Sequence, residues 1–483
     1  MSLRGLDQGR TSRFDIRSSA ILITLGVVLG YAAFQWGGVR RSDQYEYLLA
    51  LGVLAMLLNI GRQREERAVL PECAVRWATV LLPAYILLQV IPFPMAELRL
   101  LSPLRAAAVD ALKPIGAKLH FASLSVSPTA TFQSFLLVCG YVIVFLLVRE
   151  LMARFEDHRW LAIWPIVIIG ALEAGLGLWQ HLGGTREQVR CGTYANCDHY
   201  AGFLEMALPF AVMYPVTLLR RTRSRRGSPV SLSLAVCGVW ALAGVTFVGI
   251  IYSLSRMGFI AALCSLFVVG TLAFGSRPLI WVVKSRKRQI TAVVLAAALV
   301  VAGFVFLPPD KLILRFAQIT SVDGLTAEGR IKLWAETAPL IKAYSVFGCG
   351  LGGYATAFSK FKISEPLLTD DFVHNDYLQL LAELGLVGFL IVAVLAVSVV
   401  GATLKKAAMS PNQGERHLAV ACTGALAAIL LHSLVDFNLY IPANAMLLAW
   451  IAGMAVGGSW SSSLRDWRPH EELNVIAEEV VRI

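Results

Sequence analysis

One charged side chain, Arg256, lies at the midpoint of the apolar stretch 230–275. The stretch is long enough for two helices, which we expect to be hinged at residues 252–256. A lone cation inside a bilayer costs roughly 3 kcal/mol on insertion scales, so it should face protein, water or an anion. The alternative is an interfacial arginine whose side chain extends to the lipid headgroups.

A second arginine, Arg330, is predicted to lie at the start of a helix. The segment GRIKLW (329–334) places the apolar residues Ile331 and Trp334 at helical spacing, and Arg330 then falls in the first turn. The positive end of the helix and the guanidinium would attract the same anion. A solvated arginine on an exposed helix is the competing interpretation.

His374, Asn375 and Asp376 immediately precede another apolar segment, and Glu383 follows nine residues after His374. Imidazole is the side chain best suited to exchange a proton near neutral pH. The competing interpretation is that this histidine is a polar residue at the membrane surface without a catalytic role. Asn375, Asp376 and the intramembrane Glu383 favour a functional interpretation, because ionisable groups within membrane spans are functional candidates.

Other polar residues lie at the ends of apolar segments. Asn196 and His199 come just before the segment 200–219 and are further candidates for substrate binding. Glu173 and Glu205 are expected to join helices rather than to react. Two cysteines next to this group, Cys191 and Cys197, could form a disulfide, but their spacing matches no metal site. We therefore expect no metal.

The chain that positions these residues is predicted to be an all-α, polytopic membrane protein. It has 483 residues, of which 57% are hydrophobic and 16% charged, and this composition excludes a single water-soluble globule. Apolar runs of about 20 residues recur along its length. They predict about twelve transmembrane helices in one integral-membrane domain, 1–483, at 19–34, 45–60, 74–92, 131–148, 160–179, 200–219, 230–251, 257–275, 290–307, 377–401, 416–433 and 438–456.

Basic residues predict the orientation of the chain. The clusters at 220–226 and 284–288 fall on the same side when the spans alternate, and the positive-inside rule makes that side cytoplasmic. Both termini, including the tail 457–483, are then cytoplasmic. The net charge of +11 is explained by these short loops beside anionic membrane lipids, so we expect no nucleic acid.

The longest outer segment, 308–376, is predicted to be a large periplasmic loop between the ninth and tenth spans that carries much of the site. It contains Gly348, Gly350 and Gly353 in a G-x-G-x-x-G pattern. That pattern indicates dinucleotide binding only within a βαβ unit, so we expect a tight turn here. The segment 93–130 is predicted to lie partly along the membrane surface.

Six blocks of the sequence resemble the O-antigen ligase and O-antigen polymerase superfamily of bacterial inner-membrane glycosyltransferases. They are GTYANCDHYAGFLEMALP (192–209), SLSRMG (253–258), GRIKLW (329–334), GCGLGGY (348–354), HNDYLQLLAELGLVG (374–388) and HSLVDFNLYIP (432–442). The resemblance implies transfer of a glycan from undecaprenyl diphosphate to a hydroxyl of an acceptor such as lipid A-core. The reaction would take place on the periplasmic side, without metal, nucleotide or other cofactor.

The resemblance also implies roles for individual residues. Arg256 and Arg330 would bind the lipid-linked diphosphate, since guanidinium holds phosphate in a bidentate manner and takes up the charge of a leaving group. His374 would act as general base on the acceptor hydroxyl. Attack opposite the diphosphate would invert the anomeric centre. Orientation of the imidazole by Asn375, Asp376 or Glu383 is a weaker expectation.

Several alternatives stay open at this stage. An O-antigen or exopolysaccharide polymerase would use the same donor, and a protein O-glycan ligase would differ in its acceptor. The segment 359–372 resembles no sequence block of the superfamily, and we expect it to select the acceptor. A non-enzymatic membrane carrier should show broken helices near the midplane and an internal repeat. A structural assembly partner would not need Arg256, Arg330 and His374 to converge.

Overall fold

The computed structural model describes residues 16–60, 73–115, 119–155, 158–183, 191–221, 229–275, 327–364 and 369–457, and most of these are helical. The predicted all-α class is confirmed. In chain order the α-helices are α1 Ile16–Phe34, α2 Arg41–Ile60, α3 Cys73–Val90, α4 Met95–Leu101, α5 Pro103–Asp110, α6 Pro128–Arg154, α7 Trp164–Leu182, α8 Cys197–Arg221, α9 Pro229–Tyr252, α10 Arg256–Gly275, α11 Ala327–Ala343, α12 Tyr354–Phe358, α13 Asp376–Met409, α14 Gln413–His432 and α15 Pro442–Val456.

Within the described ranges, nine helices are long and apolar enough to cross a membrane: α1, α3, α6, α7, α8, α9, α10, α13 and α14. The protein is therefore a polytopic membrane protein. Helix α2 is not among the nine, and α15 has only 15 residues. The predicted span 290–307 and most of the predicted tail 457–483 lie outside the described residues. The predicted number of twelve spans is not confirmed.

Helix α8 forms the centre of the bundle. Of its membrane window, 72% of the residues are buried inside the protein, compared with 22% for α13. It packs against α7, α9, α10 and α14. Small residues permit this close packing: a Cβ atom added at Gly258 of α10 would overlap Ala201 of α8. Residues at the start of α8 are consequently held firmly by their neighbours.

Helix α13 is interrupted at Gly385, which has φ +61° and ψ −171°. The glycine-rich turn at 344–353 forms hydrogen bonds with the backbone groups of α13 at this interruption. The Leu386 amide donates to the Ser345 carbonyl at 2.8 Å, and the Gly350 amide donates to the Glu383 carbonyl at 3.0 Å. The prediction of a tight turn at the G-x-G-x-x-G pattern is confirmed, since its backbone groups bond to the protein itself.

Two side chains of α3 complete this junction. The Tyr85 hydroxyl donates to the Leu384 carbonyl at 2.7 Å, and the Gln89 amide donates to the Glu383 carbonyl at 2.9 Å. Backbone groups released by a broken helix must find partners inside a membrane protein. An interrupted helix is one mark of a carrier, but here protein groups occupy the break, which indicates a structural role.

Short elements cover one end of the bundle. In the segment 93–130, α4 and α5 accompany an antiparallel pair of strands, β1 (Pro92–Pro94) and β2 (Phe121–Ser123). The described part of the predicted loop 308–376 contains α11, the glycine-rich turn and α12. The indole of Trp334 on α11 donates to the Val373 carbonyl at 3.0 Å, which ties α11 to the residue before His374.

Candidate active site

His374 lies immediately before α13 with a left-handed backbone, φ +54°. Non-glycine residues seldom adopt this conformation, and it often marks a functional site. The next residue, Asn375, fixes it: its Oδ1 accepts from the amides of Tyr377 and Leu378, and its Nδ2 donates to the Leu434 carbonyl at 2.8 Å. The imidazole is therefore held by a capped helix start.

The carboxylate of Asp436 lies between two imidazoles. Its Oδ1 is 3.3 Å from Nδ1 of His374, and its Oδ2 is 3.5 Å from Nε2 of His199. Asp436 is 1% exposed, whereas the side chain of His374 is 19% exposed. The ring of Phe437 lies edge-to-face with both imidazoles, at centroid distances of 4.8 Å to His374 and 4.5 Å to His199.

The electrostatics of this cluster favour an ionised Asp436. Burial alone would raise the pKa of Asp436, but hydrogen bonding and attraction to His199 and His374 outweigh it and lower the pKa well below the ordinary value. An ionised carboxylate beside Nδ1 of His374 favours the tautomer with the proton on that atom. Nε2 of His374 then carries the lone pair and can accept a proton.

Arg330 lies in the first turn of α11, and its guanidinium approaches the start of α8. Its Nη2 is 3.8 Å from Oδ2 of Asp198. Asn196 caps α8, because its Oδ1 accepts from the amide of Asp198 at 2.8 Å. A disulfide between Cys191 and Cys197 closes the loop before the helix. The start of α8 is thus fixed covalently and by a cap.

Arg256 is the first residue of α10, and the predicted hinge at 252–256 is confirmed, because α9 ends at Tyr252. Leu254 within the hinge has φ +59°. The hydroxyl of Ser255 accepts from the Gly258 amide at 3.0 Å and caps α10. Among the described residues, the Arg256 side chain has no hydrogen-bond or ion-pair partner, so its charge is available to a ligand.

The structure places His374, Arg330 and the helix start that carries Arg256 at one end of the bundle, near the start of α8. Asp198, which faces Arg330, and Ala201, which packs beside Gly258 of α10, are three residues apart and share a face of α8. His199, which lies between them in the sequence, is 3.5 Å from Asp436, and Asp436 is 3.3 Å from His374. The start of α8 therefore links Arg330 and His374, and the start of α10, where Arg256 is the first residue, packs beside it.

Three predicted site residues have internal partners instead. Asn375 caps α13, and Asp376 accepts from the Ser433 hydroxyl at 2.7 Å. Glu383 accepts from the Tyr440 hydroxyl at 2.7 Å and the Tyr354 amide at 3.1 Å. The expectation that one of the three orients the imidazole of His374 is wrong, because helix capping and burial direct their side chains elsewhere.

Of the two carboxylates expected to join helices, Glu205 does so, and Glu173 joins a helix to a loop. Glu205 on α8 lies 3.1 Å from Nδ1 of His432 on α14, and both side chains have no exposed surface. Glu173 on α7 accepts from the hydroxyl of Thr193 at 2.6 Å. Glu205 and His432 are 227 residues apart, whereas Thr193 lies in the loop between α7 and α8.

Asp436 is absent from the site residues predicted from sequence. Its position in the block HSLVDFNLYIP, at the end of an apolar segment, was the available signal. Its partner His374 is 62 residues earlier, and no local pattern links the two. The turn between α14 and α15 brings them together.

Part of the chain matches a known protein family. Residues 241–393 match the family model described as O-antigen ligase, and the match includes Arg256, Arg330 and His374. It covers about a third of the chain. No curated protein matches the sequence. Sequence blocks, helical membrane fold and family match together support the resemblance of this chain to the O-antigen ligase superfamily, whose members are glycosyltransferase-like membrane enzymes.

Proposed function

We propose that this protein transfers a glycan from undecaprenyl diphosphate to a hydroxyl of an acceptor such as lipid A-core. The observation that carries the proposal is the His374–Asp436 pair at the same end of the bundle as Arg330 and Arg256. A base and two cations at one membrane surface are what glycan transfer from a lipid diphosphate requires.

His374 is the general base. Its Nε2 accepts the proton of the acceptor hydroxyl while the oxygen bonds to the anomeric carbon. Asp436, 3.3 Å from Nδ1, stabilises the imidazolium that forms. General base catalysis typically contributes roughly 10²–10⁴-fold to the rate.

Arg256 and Arg330 receive the leaving group. As the bond between the anomeric carbon and the diphosphate oxygen breaks, its electron pair stays on the diphosphate, and the two guanidinium groups stabilise the added charge. Arg256 begins α10, and Arg330 lies 3.8 Å from Asp198 at the start of α8, where the positive ends of both helices favour an anion. Attack from the opposite face inverts the anomeric centre.

The site faces the periplasm in this proposal, and the protein lies in the inner membrane with both termini in the cytoplasm. The disulfide Cys191–Cys197 beside the site supports this orientation, since disulfides persist in oxidising compartments. A reporter enzyme that works only in the periplasm should be active when it is fused after residue 340. Inactivity of that reporter would overturn the orientation.

Acceptor selection belongs to the segment 359–372 in this proposal. Its described part is fastened to α11, where the carboxylate of Glu336 accepts from the amides of Ile363 and Ser364, and Lys362 lies 2.6 Å from Asp370. Because Arg330 is on the same helix, an acceptor bound at this segment lies next to the donor.

The decisive experiment is the glycan profile of a deletion strain. Full-length glycans that accumulate on the lipid carrier support a ligase, whereas single repeat units on the core indicate a polymerase. Complementation with His374→Ala should not restore transfer, while the exposed neighbour variant Lys332→Ala should restore it. A chelator should leave transfer by the purified protein unchanged, and a clear requirement for divalent cations would contradict the metal-free mechanism.

A further inference from the structure

The ion pair between Arg330 and Asp198 is loose. Nη2 of Arg330 and Oδ2 of Asp198 are 3.8 Å apart, and the two side chains are 25% and 32% exposed. Nε of Arg330 is buried without a hydrogen-bond partner among the described residues. Exposed pairs of this kind contribute little to stability. Arg330 therefore keeps most of its capacity to bind another anion.

The other carboxylates in this neighbourhood have partners of their own, and Asp376 accepts from the Ser433 hydroxyl. Glu205 is bonded to His432, and Asp436 lies between His199 and His374. Among the described residues, Asp198 is the carboxylate that faces Arg330. Its backbone is fixed at the start of α8 by the Asn196 cap and the adjacent disulfide, so Asp198 stays in place when Arg330 turns to a ligand.

We propose that Asp198 is an exchangeable counter-ion that holds Arg330 between turnovers and competes with the product diphosphate for it. This inference rests on the proposed function. The donor is a diphosphate with a substituent at each end, whereas the product has lost its glycan and has one more ionisable oxygen. Asp198 repels the more negative product more strongly than the donor, and this difference promotes product release.

The test replaces Asp198 by Asn, which keeps the shape of the side chain and removes its charge. We expect inorganic diphosphate to inhibit glycan transfer by Asp198→Asn at about a tenfold lower concentration than for the wild type, as is typical of removing one close like charge. Both KM for the donor and kcat should fall, because product release becomes slower. High salt should reduce the difference.

Two variants serve as controls. Asp198→Glu keeps the charge and should restore inhibition and turnover close to the wild type. Asp110→Asn removes an equal charge from exposed ion pairs with Arg99 and Lys113, which include none of the proposed site residues, and should behave as the wild type. A purely structural role of Asp198 would lower kcat without tightening inhibition by diphosphate.

The outcomes separate this inference from the proposed function. Equal inhibition of wild type and Asp198→Asn by diphosphate would overturn the counter-ion role and leave the glycosyltransferase proposal intact. Failure of both Asp198→Asn and Asp198→Ala to fold, seen by gel filtration, would show a structural role and overturn it as well. No inhibition of the wild type, with full activity of Arg330→Ala, would instead contradict the proposed function.

Discussion

Nδ1 of His374 lies 3.3 Å from Oδ1 of Asp436, a residue 62 positions further along the chain. The carboxylate is buried and the imidazole is partly exposed. This arrangement favours a proton on Nδ1 of His374, beside the anion, and in the proposed function it leaves Nε2 to accept a proton from the substrate. The carboxylate beside Nδ1 is therefore that of Asp436. The neighbouring residue in the sequence, Asp376, accepts from Ser433 instead.

The first prediction concerns this pair. His374→Ala should abolish glycan transfer, and Asp436→Asn should lower kcat by roughly 10²–10⁴-fold, because the imidazolium loses its counter-charge. Kinetics with purified protein and lipid-linked glycan measure the effect. Normal kcat in Asp436→Asn would remove Asp436 from the mechanism.

The second prediction concerns the two arginines. Arg256→Ala and Arg330→Ala should each abolish transfer while the protein stays folded and inserted. Arg330→Lys should recover only part of the activity, since an ammonium lacks the bidentate geometry of guanidinium. Lys332→Ala, which changes an exposed cation two residues from Arg330, is the matched control. Wild-type activity in both alanine variants would end the proposed function.

The third prediction concerns pH. Contacts with His199 and His374 hold the pKa of Asp436 well below its ordinary value, which is about 3.9 in an unfolded chain. The resulting stabilisation is present above the unfolded pKa and is lost as pH falls toward the lower folded value. Between about pH 4 and pH 3, the unfolding temperature in detergent should fall more steeply for the wild type than for Asp436→Asn. Parallel curves would contradict this linkage.

The fourth prediction concerns the break in α13. Gly385→Ala should strongly reduce the amount of folded protein, because a Cβ there would overlap the Val346 carbonyl and the Gly348 amide, and φ is +61°. Gly401→Ala in the same helix is the control, since a Cβ there meets no atom within 4 Å among the described residues. Fluorescence-detected gel filtration compares the two variants. Equal yields would show that the break is not required.

The sequence predicted the membrane architecture because bilayer thickness fixes the length of an apolar span. The hinge before Arg256 was predicted for the same reason, since a 46-residue apolar stretch must fold as two helices. The start of α11 near Arg330 followed from helical spacing. Less could be predicted for α15, which has 15 residues and so falls short of an ordinary span.

The sequence by itself determined which residue types could do the chemistry: two arginines at helix starts and a histidine at a membrane surface. Only the tertiary structure decided their partners. Packing of α13 against the end of α14 pairs Asp376 with Ser433, and the turn after α14 brings Asp436 to His374. Contacts between residues far apart in sequence depend on how the helices pack. The apolar composition of a helix predicts that it crosses the membrane, but it does not predict which helices lie beside it.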